Sequence, residues 1–302
     1  MPATDLSKLP DPEVINQQSY EETLQQLKDD LISLDPSLVD ALNNESEPVT
    51  LQLRVCAYRE TLLRQEFNDR AKGLLLAKTS GSDLDHIGTT YYFTERLVID
   101  AGDPDAVPPV EPTYELDNDY RNRCLIAEDA FSTAGPDDAY IYHAKSADAD
   151  VKDVKPTSPN PVEVVINVLS HTGDGTADAA LLAKVDAALS NNVRPLTDQV
   201  TVQSATIINY TVDATLIFYT SADENLVLTA AEANLTAWAI EQHKLGRDIT
   251  TAGVKSALKV EGVHDVTLNN NVGTDITANI AVADNEAAYN AGITIASGGV
   301  SE

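Results

Sequence analysis

The chain has 302 residues and a formal net charge of −28, from 48 Asp and Glu residues against 20 Lys and Arg residues. Because nucleic acids and anionic membranes bind basic surfaces, this charge excludes both as expected partners. The first residues lack the basic region and apolar core of a signal peptide, and the apolar runs are too short to span a membrane. Cys56 and Cys124 lie outside any Cys-x-x-Cys motif, so we expect reduced, buried thiols.

The N-terminal part of the chain begins with a polar, proline-containing stretch at residues 1–17, which we expect to be an extended arm. A helical segment is predicted to follow at residues 18–90. Ser19 and Glu22 fit a capping box for its first helix, and Asp35-Pro36 is expected to end that helix.

A second helix is predicted to begin after Glu47-Pro48, to continue through Leu74 and to end at Gly81. Aromatic and β-branched residues at 89–93 then predict a short β-prone stretch.

Both predicted helices carry a narrow apolar stripe whose members recur in steps of three and four residues. This spacing is the 3.5-residue period of a coiled-coil seam. Because a lone helix of this length is marginal in water, other helices must cover the stripe, either within an intrachain hairpin or from other chains. The predicted interface residues are Tyr20, Leu24, Leu27, Leu31 and Leu34 on the first helix, and Leu51, Val55, Tyr58 and Leu62 on the second.

Residues 91–118 are predicted to form an acidic, proline-rich linker or exposed arm. Between residues 100 and 119 there are four prolines, seven acidic residues and no Lys or Arg, which does not suit a core element.

A small α/β segment is predicted at residues 119–160. Asp119 can cap its first helix, whose face would carry Tyr120, Cys124, Ala127 and Phe131. Gly135-Pro136 should turn the chain into a second, short helix that holds Ala139, Tyr140 and Ala144. The prolines at 157–161 predict a boundary.

Two α+β units are predicted next, at residues 161–220 and 221–270, followed by a β-prone C-terminal tail at 271–302. The first unit has predicted strands at 162–170, 199–205 and 208–220 around a helix at 177–190. In the second, Thr229 and Glu232 fit a capping box for a helix that ends at Gly246, before a short helix at 251–260 and a strand at 263–268. The fold class is therefore α+β, helical at the N-terminus and β-rich in the tail.

The loop around Gly173 and Gly175 lies between a predicted strand and a predicted helix, where a phosphate can bind in other proteins. It lacks the third glycine of a dinucleotide loop and any Gly-Lys-Ser/Thr, and Asp174 and Asp178 would repel an anion. We therefore interpret the loop as a turn, with Thr176 as the helix cap. An enzyme with a phosphate-binding turn at 173–176 is the alternative.

No catalytic, cofactor or metal site is predicted from the rest of the sequence. The five histidines lack metal-ligand spacing, and no Gly-x-Ser-x-Gly elbow is present. The charged run at 243–249 is typical of a helix C-terminus with cations and a glycine cap. A non-enzymatic protein is favoured, and an extracellular adhesin or fibre module is a further alternative.

The order of short motifs resembles the baseplate assembly protein J family of contractile-tailed phages and related injection particles. Each motif is weak alone, but their collinear order from near the N-terminus to about residue 263 is specific. The matching motifs are ESEP at 45–48, AYRE at 57–60, GSDLDHIG at 81–88, DYRNR at 119–123, AY at 139–140, VRP at 193–195, QVTVQ at 199–203, HKLGRDI at 243–249 and VEGV at 260–263.

The resemblance implies a structural role in a baseplate wedge, in a virion or contractile particle assembled in the bacterial cytoplasm. It implies that residues 18–90 enter a helical core bundle with a second copy of the chain and a smaller wedge protein. The C-terminal α+β domains, the unit at 221–270 in particular, would contact neighbouring wedges, sheath and hub in a ring that opens on contraction. No cofactor, nucleic acid or membrane is implied.

Overall fold

The computed structural model describes residues 9–10, 14–132, 134–190, 192–220, 223–269 and 276–301. The chain divides into two compact units, residues 1–95 and 96–302. Its fold is α+β, as predicted. Most of the predicted arm at 1–17, and residues 270–275 around the start of the predicted tail, lie outside the described residues.

The first unit is built from helices. They are α1 (Tyr20–Leu34), a 3-10 turn (Pro36–Leu38), α2 (Val39–Asn43), α3 (Pro48–Lys72) and α4 (Gly81–Tyr91). The capping box of α1 is confirmed, because Ser19 Oγ accepts from the Glu22 N–H at 3.2 Å and the Glu22 carboxylate accepts from the Ser19 N–H at 2.9 Å. The predicted end of α1 at Asp35-Pro36 is also confirmed. α1 packs along α3.

The second helix and its continuation differ from the prediction. α3 ends at Lys72, and Gly81 begins α4 instead of ending α3. The prediction of a β-prone stretch at 89–93 was wrong, since its first three residues belong to α4. That helix buries Leu84, Ile87 and Gly88, so burial at helical spacing outweighs the β propensity of its last residues.

The second unit begins with a two-stranded antiparallel sheet, β1 (Val98–Asp100) and β2 (Thr113–Tyr114), followed by α5 (Asp117–Ile126) and α6 (Asp137–Lys145). α5 follows Leu116, so the predicted cap at Asp119 was wrong. Tyr120, Cys124 and Ala127 are buried as expected, whereas Phe131 is exposed at the end of a 3-10 turn.

The first three-stranded sheet of this unit has the order β3-β4-β5, formed by β3 (Val151–Thr157), β4 (Glu163–Ser170) and β5 (Gln199–Ser204). β3 and β4 are antiparallel and β4 and β5 are parallel. The proline-rich segment at 157–161, predicted as a boundary, connects the paired strands β3 and β4. α6 and α7 (Ala179–Ala188) supply side chains to the core of this sheet.

The second three-stranded sheet has the order β7-β6-β8, formed by β6 (Thr206–Tyr219), β7 (Val263–Leu268) and β8 (Glu286–Ser301). β6 pairs antiparallel with β7 and parallel with β8. The β-prone tail thus supplies a 16-residue edge strand. α8 (Glu224–Gln242) and α9 (Thr251–Leu258) pack against this sheet over its core.

The predicted start and end of α8 were wrong. Asp223 caps the helix, accepting hydrogen bonds from the Asn225 and Leu226 N–H groups. Thr229 lies inside the helix, where its hydroxyl donates to the Asn225 carbonyl at 2.9 Å. An acidic cap six residues upstream of Thr229 therefore replaces the predicted capping box, and the helix ends at Gln242, before Gly246.

The two cysteines differ in their surroundings. Cys124 is buried, and burial raises the pKa of its thiol to about 11. Cys56 is exposed on α3, so the prediction that it is buried was wrong.

Candidate protein interface

The two predicted apolar stripes of the first unit differ in exposure. On α1, Leu34 is exposed, while Tyr20, Leu24, Leu27 and Leu31 are half-buried. On α3, the four stripe residues remain in solvent. Their exposed fractions are 48% for Leu51, 62% for Val55, 57% for Tyr58 and 42% for Leu62.

The stripe of α3 is not the face that this helix uses inside its own unit. The buried positions of α3 are Thr50, Ala57 and Asn68, of which Ala57 is 0% exposed. At 3.6 residues per turn, this buried face lies roughly 120° around the helix from the stripe. The Thr50 hydroxyl donates to the Ala41 carbonyl at 3.2 Å, and Asn68 forms two hydrogen bonds with the Ile15 backbone. The stripe is therefore a second, separate face.

The stripe borders an open apolar groove between α1 and α3. Tyr20, Leu51, Arg54, Val55 and Tyr58 line it. Arg54 Nε donates to the Tyr20 hydroxyl at 3.3 Å, and this hydrogen bond raises the pKa of the guanidinium. The structure thus brings four of the predicted interface residues together around the Arg54 guanidinium. The periodicity of the apolar residues did not identify this arginine.

The C-terminal half of α3 adds ion pairs and further exposed apolar residues. Arg64 pairs with Glu60 and Arg70 with Glu66, each at 2.8 Å. Exposed pairs of this kind stabilise a helix by only about 0.3–0.5 kcal/mol each. Leu63, which follows Leu62 of the stripe, is also exposed. The three–four spacing did not predict it, although the pair of adjacent leucines is visible in the sequence.

The glycine loop at 173–175 is closed by its own backbone. The Ser170 N–H donates to the Gly175 carbonyl at 2.9 Å, and the Gly175 N–H donates to the Thr172 carbonyl at 3.3 Å. The Asp174 carboxylate accepts from the Thr176 N–H at 3.0 Å, and hydrogen bonding from Thr176 lowers the pKa of Asp174. These bonds take up N–H groups that a phosphate would need.

The helix that follows the loop is capped by Asp178 and not, as predicted, by Thr176. The Asp178 carboxylate accepts from the Leu181 N–H at 2.7 Å. A carboxylate therefore occupies the helix terminus where an anion would bind, and its charge opposes a second anion there.

The described part of the chain holds neither a metal-binding cluster nor a membrane-spanning helix. Among those residues, no group of three or more His, Cys, Asp or Glu side chains is placed to hold a metal ion. Within the same residues, no helix is both long and apolar enough to cross a bilayer.

An exposed apolar helix face of this kind is typical of a protein–protein contact surface. Three family models match successive parts of the chain: the Baseplate J-like N-terminal domain at residues 45–103, the Baseplate J-like central domain at 132–204 and the Baseplate J-like protein C-terminal domain at 210–296. Baseplate protein J of Escherichia phage P2 is 40% identical over 274 residues, which cover 89% of this chain and 90% of that protein. The chain belongs to the baseplate J family.

A chain in the cryo-EM structure of the anti-feeding prophage baseplate, 6-fold symmetrised, is also similar, with 11% identity and a TM-score of 0.41. The similarity covers 60% of this chain and 44% of that one.

Proposed function

We propose that the chain is a structural component of the baseplate wedge of a contractile tail, and that it acts by assembly, without catalysis. Family membership supports a structural role in the baseplate. The observation that carries the finer proposal is the exposed stripe of α3, formed by Leu51, Val55, Tyr58 and Leu62.

The stripe has the properties of a helix-docking surface. Its 3.5-residue period suits a partner helix that packs along α3 as in a coiled coil. Each of its four side chains is about half exposed, so covering them would contribute roughly 3–6 kcal/mol before the cost of association. The adjacent groove, with Tyr20 at its edge, would widen the contact to α1.

The partners proposed for this surface are a second copy of the chain and a smaller wedge protein, joined in a helical core bundle. The α+β domains of the second unit would meet neighbouring wedges, sheath and hub proteins in a ring that opens on contraction. We further propose that the chain is made and assembled into the particle in the bacterial cytoplasm.

A phosphate-binding enzyme is the weaker alternative, because the loop at 173–175 closes on itself and Asp178 caps the next helix. An adhesin or fibre module is disfavoured by membership of the baseplate J family.

Co-purification tests the proposal. Leu51→Asp places a carboxylate in the stripe, while Leu196→Asp makes the same change at an exposed leucine of the second unit. We expect both variants to fold, and only Leu51→Asp to be lost from purified tails. Incorporation of both variants at the wild-type level would contradict the assigned interface.

A further inference from the structure

The segment at residues 97–116, here called the acidic arm, is anchored at its base by hydrogen bonds and ion pairs. The Leu97 N–H donates to Glu115 Oε1 at 2.8 Å, and the Glu115 N–H donates to the Leu97 carbonyl at 3.0 Å. The Glu115 carboxylate is buried against the Arg123 guanidinium in an ion pair. Arg96 donates to the Glu115 carbonyl at 2.8 Å and pairs with Asp117 at 2.7 Å. Both ends of the arm are therefore fixed to α5.

The base is reinforced by an aromatic ring. The guanidinium groups of Arg96 and Arg123 lie 4.8 and 5.6 Å from the centre of the buried Tyr120 ring. A buried ion pair that is fully hydrogen-bonded and stacked constrains direction as well as position. These contacts thus fix the path of the chain where the arm joins α5.

Beyond its base, the arm is a two-stranded ribbon with apolar side chains in solvent. β1 and β2 pair, and Asp103 and Val110 exchange two backbone hydrogen bonds of 2.9 Å nearer the tip. Val107 at the tip is 98% exposed. Further exposed apolar side chains are Val98, Ile99, Val110, Tyr114 and Leu116. A two-stranded ribbon has only marginal stability by itself in water. We therefore expect another surface to cover these apolar side chains.

The charge of the arm indicates the chemistry of that surface. Asp100, Asp103, Asp105 and Glu111 are exposed on the arm, and residues 100–119 contain no Lys or Arg. An apolar groove flanked by lysine or arginine side chains would satisfy both features. A second copy of this chain, with its net charge of −28, suits the arm poorly.

We propose that the acidic arm docks into a basic-rimmed apolar groove on a different protein of the same particle. This inference rests on the proposed baseplate function but concerns a different surface from the α3 stripe. The tip of the arm lies between two of the matched family models, since the first ends at residue 103 and the next begins at 132.

Site-specific photo-crosslinking in assembled tails tests the proposal. Benzoylphenylalanine would replace Val107 at the tip of the arm or, as a control, Leu196, another fully solvent-facing residue of the same unit. We expect Val107 to crosslink to one protein, at a peptide with Lys or Arg beside apolar residues, with a yield about tenfold above that of Leu196. A yield equal to the control, or a crosslink to a second copy or to an acidic surface, would overturn the proposal.

A charge-reversal pair tests the electrostatic part. Asp105→Lys with Glu111→Lys should lower the Val107 crosslink about tenfold, while Glu128→Lys with Asp129→Lys, which changes two exposed carboxylates of the 3-10 turn after α5, should leave it unchanged. An equal effect of both pairs would contradict a basic-rimmed groove.

The same particles separate this proposal from the proposed function. Benzoylphenylalanine at Val55 reports on the α3 stripe. Crosslinks from position 55 with none from position 107 would refute only the docking of the arm. Tails that lack the chain altogether would refute both the docking of the arm and the proposed function.

Discussion

Arg54 Nε on α3 donates a hydrogen bond to the Tyr20 hydroxyl on α1 at 3.3 Å, beside the exposed apolar stripe. This contact joins the two helices at the edge of a groove that their own packing leaves open. The first unit therefore buries one face of α3 and leaves another exposed to solvent. Substitutions on the buried face should lower the stability of the unit, whereas substitutions on the exposed face should change it little.

On the buried face, Ala57→Leu should destabilise the first unit by about 1–3 kcal/mol, because Ala57 has no exposed surface and a larger side chain would overpack the site. On the stripe, Leu51→Ala should change the free energy of unfolding by less than about 1 kcal/mol. Urea unfolding followed by far-UV circular dichroism measures both. A larger loss from Leu51→Ala than from Ala57→Leu would make the stripe an internal core.

Alanine substitutions at the two loop glycines should distinguish the stability lost through steric overlap from the stability lost through backbone strain. Both have positive φ, 66° at Gly173 and 97° at Gly175. A Cβ at Gly175 would lie 2.6 Å from Leu169 Cδ1 and 2.7 Å from His243 Nε2, while a Cβ at Gly173 would meet nothing within 4 Å. Gly173→Ala should cost about 1–2 kcal/mol from strain, and Gly175→Ala clearly more. Trp238 fluorescence during denaturation reports on the second unit, and equal losses would contradict the packing described for Gly175.

The loop should also fail to bind nucleotides. ATP, GTP and NAD, titrated separately, should leave the melting temperature unchanged, because the Gly175 and Thr176 N–H groups are bonded within the loop and Asp178 caps the helix. A saturable rise would argue against the closed loop, since a ligand at 100 times its Kd adds about 2.7 kcal/mol.

The stability of the second unit should fall in mild acid. Burial lowers the pKa of His243, against a smaller opposite effect of its 2.8 Å hydrogen bond with the Ala288 carbonyl, and burial also lowers the pKa of His143. The unfolded chain then binds these protons more readily than the folded one. The stabilising contribution is complete above about pH 6.5, the ordinary histidine pKa, and is lost as the pH falls toward the folded-state values.

Denaturation curves from pH 7.5 to 5 would measure this effect, which is at most about 1.4 kcal/mol per pH unit for each proton. His243→Gln should reduce the slope. An unchanged slope in the variant would show that His243 titrates alike in both states.

Local signals in the sequence were enough to predict several elements, because their causes are local. Ser19 and Glu22 predicted the start of α1, and the periodicity of α3 identified its stripe. The periodicity could not show which face of α3 its own unit buries, since that depends on small and polar residues such as Ala57 and Asn68 that carry little hydrophobic signal.

Long-range pairing accounts for most of what sequence reasoning missed. β6 pairs in parallel with β8 through residues about 80 positions apart in the sequence, so nothing near either strand predicts their register. Likewise, the acidic composition of residues 100–119 predicted an exposed arm but not the buried pair of Glu115 and Arg123 at its base.

Cysteine labelling at the stripe tests the central claim most directly. Val55→Cys in a Cys56→Ala background places one reactive thiol in the α3 stripe, with the buried Cys124 as an internal control and Leu196→Cys as an exposed one. Maleimide should modify Cys at position 55 readily in the isolated chain and at least about 100-fold more slowly in assembled tails, where a partner helix would exclude the reagent. Equal rates in the isolated chain and in the tail would show that the stripe stays uncovered and would contradict the account.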